Sequence, residues 1–190
     1  MKTTCNPLKG RKTLGICLFV SLEIYIFAAA MQSAGKILID LRQAAQQGQV
    51  LQQELADDFF AALEQDEIIG GRVCVSLCVK ENASECFLLR FHIKGEVVVG
   101  CDRCLAPLTL PVDTEAVVKV CADDSFLQSD EDVKVLSGNG YAYDIAWDIY
   151  ENTLLALPLQ RTHPIAECDA DMLTHIARAE DEEAAEATSN

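Results

Sequence analysis

Basic residues are scarce in this chain: 15 lysines and arginines stand against 30 aspartates and glutamates, a formal net charge of −15 over 190 residues. A field of that sign repels phosphate backbones and offers few cations for counterion release, which excludes direct, nonspecific nucleic-acid binding. Glycine-rich phosphate loops are missing as well. The three histidines (His92, His163, His175) have no nucleophile beside them in a recognisable setting. Enzyme signatures are therefore thin. No internal repeat or low-complexity linker marks a second domain.

What is abundant is apolar residues, at 50% of the chain, enough to build the core of one ordinary domain. Cysteine is also plentiful, and its count of nine is odd. Cys74, Cys78, Cys86 and Cys121 each stand singly in apolar runs. That is how free cysteine serves as a small core hydrophobe in a reducing compartment, and it predicts a cytoplasmic protein. One segment argues otherwise. Lys2, Lys9, Arg11 and Lys12 precede an apolar run from Leu14 to Ala30, in the manner of a secretory signal. Glu23 in its middle would cost roughly 2.5–3.5 kcal/mol at mid-bilayer. A start at Met31 is the competing explanation, and no membrane partner is expected. The expected organisation is an extension over 1–30, a domain over 31–175 and a disordered acidic tail over 176–190.

Within the domain, Lys36 to Leu41 reads as a short strand. Leu51, Leu55, Phe59 and Leu63, spaced by four, predict one helix over 51–63 with Phe59 and Phe60 in the core. Val73, Val75, Leu77 and Val79 alternate with more polar neighbours, as in a strand with one wetter face. Glu81 to Ser84 is a turn. Cys86 to Ile93, Gly95 to Gly100 and Leu108 to Cys121 supply further strands. Such close spacing predicts an antiparallel arrangement, because parallel pairs need long crossovers. Asp123 to Asn139 reads as an acidic loop. Tyr143 to Pro158 reads as a helix with carboxylates early and a proline stop, Ile145, Ile149 and Leu154 facing the sheet. Its acids Asp144, Asp148 and Glu151 read as a solvated face, and Trp147 as core or partner contact. The fold class is α+β: an antiparallel meander or partly closed barrel packed by an N-terminal and a C-terminal helix.

The chemistry concentrates in Cys101-Asp102-Arg103-Cys104, at the end of the Gly95–Gly100 run, and in the later His163 and Cys168. Three thiols and one imidazole satisfy tetrahedral zinc, and Cys-x-x-Cys on a tight turn is the usual first half of such a site. The second half is irregular, because His-x4-Cys is wider than a typical knuckle. Two other uses stay open: a redox pair at Cys101 and Cys104, or cysteines that only pack. A thioredoxin-like pair would sit at a helix N-terminus, whereas this one follows a strand.

In this order, Asp58-Phe59-Phe60, the strand into Cys101 to Leu108, Leu154 to Leu159 and then His163 to Cys168 resemble the YceD family, the large ribosomal RNA subunit accumulation proteins. The resemblance runs over about Ile37 to Met172, and the N-terminal extension and acidic tail depart from the family pattern. It implies a small, cytoplasmic, non-catalytic protein of ribosome synthesis. Its expected partner is a ribosome-assembly protein or a pre-ribosomal particle, with direct RNA contact left open. The alternative is a thiol-active enzyme working through Cys101 and Cys104.

Overall fold

A computed structural model describes residues 35–83, 85–122, 133–136, 140–176 and 178. The signal-like run 14–30, most of the acidic loop 123–139 and the tail from 180 lie outside the described residues.

The chain runs β1 (Leu38–Asp40), α1 (Leu41–Gln47), β2 (Val50–Leu55), α2 (Asp57–Ala62), β3 (Ile68–Ala83), β4 (Cys86–Gly100), β5 (Pro107–Cys121), β6 (Val133–Val135), β7 (Ala142–Asp144) and α3 (Ala146–Leu155). Strands β2 to β6 form a sheet in sequence order, antiparallel throughout except where β6 joins β5 in parallel. β1 and β7 pair separately as an antiparallel ribbon. The α+β expectation and the meander hold, but the sheet is open: β2 and β6 remain edges, and no barrel closes.

The predicted helix over 51–63 is two elements. Leu51 to Leu55 is strand, paired with Leu77 to Val73, and only Asp57–Ala62 is helical. A spacing of four serves both, since Leu55 is buried from the strand and Phe59 from the helix. Phe59 and Phe60 are core, stacked edge-on at 5.2 Å. Helix α1 escaped the sequence reading although its punctuation is legible. Asp40 Oδ1 accepts from the Gln43 amide at 2.8 Å, and Gly48 closes the helix at φ 61°.

β4 is a single strand through Gly95 rather than two. Gly95 lies opposite Val73, and Gly71 opposite Val97. A Cβ on Gly71, whose φ is 143°, would stand 2.5 Å from the Glu96 carbonyl oxygen. The two strands approach too closely there for any side chain.

The inward residues of the sheet, Val73, Val75, Leu77, Phe87, Leu89, Phe91, Ile93, Val97 and Val99, join Leu41, Phe60, Ile145 and Ile149 in one core. The acids of α3 do not share a solvated face. Asp148 is 1% exposed and binds Lys134 Nζ at 2.5 Å, and Glu151 binds the same amine at 2.8 Å. Asp144 accepts from the Ala146 and Ile37 amides. Trp147 is half-exposed and leans on Tyr150 at 4.9 Å.

Cys86 and Cys121 are not free core thiols. They are cross-strand partners with Cα atoms 4.1 Å apart, joined in a disulfide, and Cys74 is also disulfide-bonded. The sequence could not reveal the pairing, because registry between β4 and β5 decides which cysteines face each other.

Candidate metal centre

β4 ends at Gly100, and β5 begins at Pro107; the connection between them holds Cys101 and Cys104. The turn is tight: the Leu105 amide donates to the Cys101 carbonyl at 2.9 Å, and the Cys101 amide to the Ala106 carbonyl at 2.9 Å. Leu105 completes it in the left-handed region at φ 60°, unusual for a side chain of that kind, and is 71% exposed. The result carries both thiols on one short loop at the end of the long hairpin.

The second half arrives after α3. Pro158 stops the helix, and the following segment runs beside the turn, with the Asp102 amide donating to the Arg161 carbonyl at 2.7 Å and the Arg161 amide to Asp102 Oδ2 at 2.6 Å. That places His163 and, beyond a 3-10 turn over Ile165–Glu167, Cys168 against the hairpin end. The ligand atoms of Cys101, Cys104, His163 and Cys168 all lie within 4.8 Å of one another. His175 and His92 take no part; His92 sits on the sheet and binds Asp113 at 2.9 Å.

The geometry suits a tetrahedral ion. Zinc with Zn–S of about 2.3 Å and Zn–N of about 2.0–2.1 Å sets sulfur and nitrogen roughly 3.5 Å apart, and Cys104 Sγ stands 3.5 Å from His163 Nδ1. The other ring nitrogen, Nε2, lies 3.2 Å from the Pro107 carbonyl oxygen. A proton on Nε2 donates to that carbonyl and leaves Nδ1 for a metal, the usual arrangement of a ligating histidine. Cys101, Cys104 and Cys168 are buried together under Ala106, Leu108, Met172 and Leu173, a small cluster apart from the main core. A further helical stretch, residues 170–176, begins there with Asp169 Oδ1 accepting from the Met172 amide at 2.9 Å.

The electrostatics favour thiolate. Burial opposes ionisation of Cys101, yet hydrogen bonds from the backbone of Cys104, His163 and Arg103 outweigh it and pull the thiol down to about 6. The Asp169 amide lowers Cys104. The thiols of Cys104 and Cys101 in turn raise His163. Cys168 goes the other way, pushed up by burial against the opposing pull of Arg103. This set of three sulfurs and one imidazole can hold a metal such as zinc.

Sequence reading named all four of these residues. It gave no role to Asp102, Arg103, Arg161 or Asp169, whose contacts cross between two distant segments; the acid and base inside Cys-x-x-Cys were the only visible signal.

Comparison with known proteins agrees with the resemblance noted from the motifs. A family model described as large ribosomal RNA subunit accumulation protein YceD matches residues 89–190. No curated protein and no solved structure matches the chain. The matched region starts within β4 and runs to the last residue, so the acidic tail lies inside the family pattern rather than departing from it. It takes in more than half of the chain and all four candidate ligands. The protein therefore belongs to the YceD family, the large ribosomal RNA subunit accumulation proteins.

Proposed function

We propose that the protein is a non-catalytic accessory of ribosome synthesis that supports accumulation of large-subunit ribosomal RNA through protein contacts. Its partner in this reading is a ribosome-assembly protein or a pre-ribosomal particle. The observation that carries the reading is the family match over residues 89–190, which encloses the candidate centre. The net charge of −15 supports contact through protein rather than naked RNA. In a cell expressing a tagged chain, the protein should co-sediment with large-subunit precursors, and its depletion should lower large-subunit RNA. A chain that stays at the top of the gradient, with RNA levels unchanged on depletion, would sink the proposal.

The centre's part is structural. Cys101, Cys104, His163 and Cys168 would fill all four positions of zinc and leave none for a substrate. One equivalent of zinc should co-purify. Cys104→Ser should lose the metal and part of the fold, partly because the domain keeps its own core. Metal-free protein whose melting curve Cys104→Ser leaves unchanged would reduce the cluster to packing residues.

Cytoplasmic placement follows from the role in ribosome synthesis. Among the described residues no helix is long and apolar enough to cross a membrane. The Cys86–Cys121 disulfide weighs against a reducing compartment, and peptide mapping of thiol-blocked cell extract decides the point.

The depressed Cys101 thiol is the one observation that favours the second reading, a redox enzyme using Cys101 and Cys104. Alkylation separates the two. A reactive pair labels fast, whereas a metal-held pair labels slowly until chelator is added.

A further inference from the structure

The two residues between the paired cysteines are a carboxylate and a guanidinium, and both reach across to the segment that brings the other ligands. Asp102 accepts the Arg161 amide at 2.6 Å, donates its own amide to the Arg161 carbonyl at 2.7 Å, and sets Oδ1 3.4 Å from the Arg161 guanidinium. The same guanidinium binds Glu67, just before β3, at 3.1 Å. Arg103 donates to the His163 carbonyl at 3.4 Å and lies 3.6 Å from Cys168 Sγ.

These contacts matter because little else fixes the second half. After α3 ends at Leu155, the chain to Cys168 contains only one short 3-10 turn, and its register against the hairpin comes from contacts with the hairpin. The remaining links across the gap involve the ligands themselves or their immediate neighbours: the His163 amide on Cys101, the Asp169 amide on Cys104, the His163 ring on Pro107. Charge adds a second argument. Three thiolates and a neutral imidazole around a divalent ion leave one surplus negative charge, and the Arg103 guanidinium stands beside the sulfur of Cys168 to offset it.

Resting on the reading of the four ligands as a metal centre, we propose that Asp102, Arg103 and Arg161 form a clamp that binds no metal but holds His163 and Cys168 against the Cys101–Cys104 turn. Metal then completes a site already gathered instead of building one from loose ends. The three are positioning residues, and their effect falls on affinity rather than on the identity of the ligands.

The test is titration of the full-length, metal-free, thiol-reduced chain with Co2+, read by its ligand-field and thiolate charge-transfer absorption, followed by competition with Zn2+. Wild-type protein should bind one equivalent with a three-sulfur, one-nitrogen tetrahedral spectrum. Asp102→Ala and Arg161→Gln should weaken Co2+ by about 10–100-fold with the band positions unchanged. Asp102→Asn keeps an oxygen for the Arg161 amide and should recover part of the loss. It also carries the test, with Arg161→Gln, if Asp102→Ala fails to fold. Affinities within threefold of wild type in the folded variants would overturn the clamp, as would a shifted spectrum, which means a ligand has changed. Equal lowering of the melting points of metal-free and metal-loaded variants at unchanged affinity would show ordinary stabilisation, and that also overturns it. A wild-type chain that takes up neither Co2+ nor Zn2+ would instead remove the metal centre itself, a result distinct from all of these.

Discussion

Asp148 is the one buried carboxylate among the described residues, and its position on α3 makes Lys134 its counter-charge. Burial alone would lower the Lys134 amine, but the hydrogen bonds of Asp148 and Glu151 outweigh it and raise the amine above its ordinary value of 10.5. Lys134→Met leaves Asp148 dry and unpaired and should cost about 1.5–3 kcal/mol in denaturant unfolding at neutral pH. Adding Asp148→Asn in that background should return part of the loss. The sign of the pH dependence follows from the raised amine: its contribution is fully present below 10.5 and is lost as pH rises through the higher folded value. The gap in stability between wild type and Lys134→Met should therefore be flat through neutral pH and close only in strong alkali. Sequence alone read Asp148 as solvated, because its period on the helix matched Asp144 and Glu151. The lysine that buries it sits in a three-residue strand that no periodicity announces.

At the scale of elements, β3 and β4 are the frame, and their crossing at Gly71 and Gly95 sets how closely they approach. Gly71→Ala should destabilise by about 1–3 kcal/mol, since the new methyl meets backbone rather than a movable side chain. A melting point within a degree of wild type would show that the strands can part there. The Cys86–Cys121 bridge ties β4 to β5 across 35 residues. Loop-closure entropy gives about 3–4 kcal/mol as an upper figure for that length, and the hairpin's own ladder reduces it. Reduction should thus lower the unfolding midpoint without abolishing the transition. The long strands were legible because alternation in Val73–Val79 and its neighbours is unambiguous. The β2–α2 break was not, because one row of leucine and phenylalanine fits a strand end and a helix start equally well.

For the whole molecule, the antiparallel α+β frame and the four candidate ligands could be read from sequence. The route by which Arg161 meets Asp102 could not, since it depends on where α3 leaves the chain. The net charge of −15 leads to a further expectation: the purified chain should not bind a ribosomal RNA fragment tightly at physiological salt. Submicromolar, salt-sensitive binding in a filter or anisotropy assay would point to a local basic patch. A chain beginning at Met31 should fold and unfold like the full one, because the described core starts at Ile37; aggregation of the shorter chain alone would count against that. Finally, the four ligands are far apart in order of synthesis. Cys104 and His163 are separated by 59 positions, so at 5–20 residues per second the hairpin thiols are made roughly 3–12 s before the imidazole exists. During that interval the nascent turn is a bare dithiol open to oxidation or to a loosely held ion, and it can be closed over only when the final segment of the chain emerges.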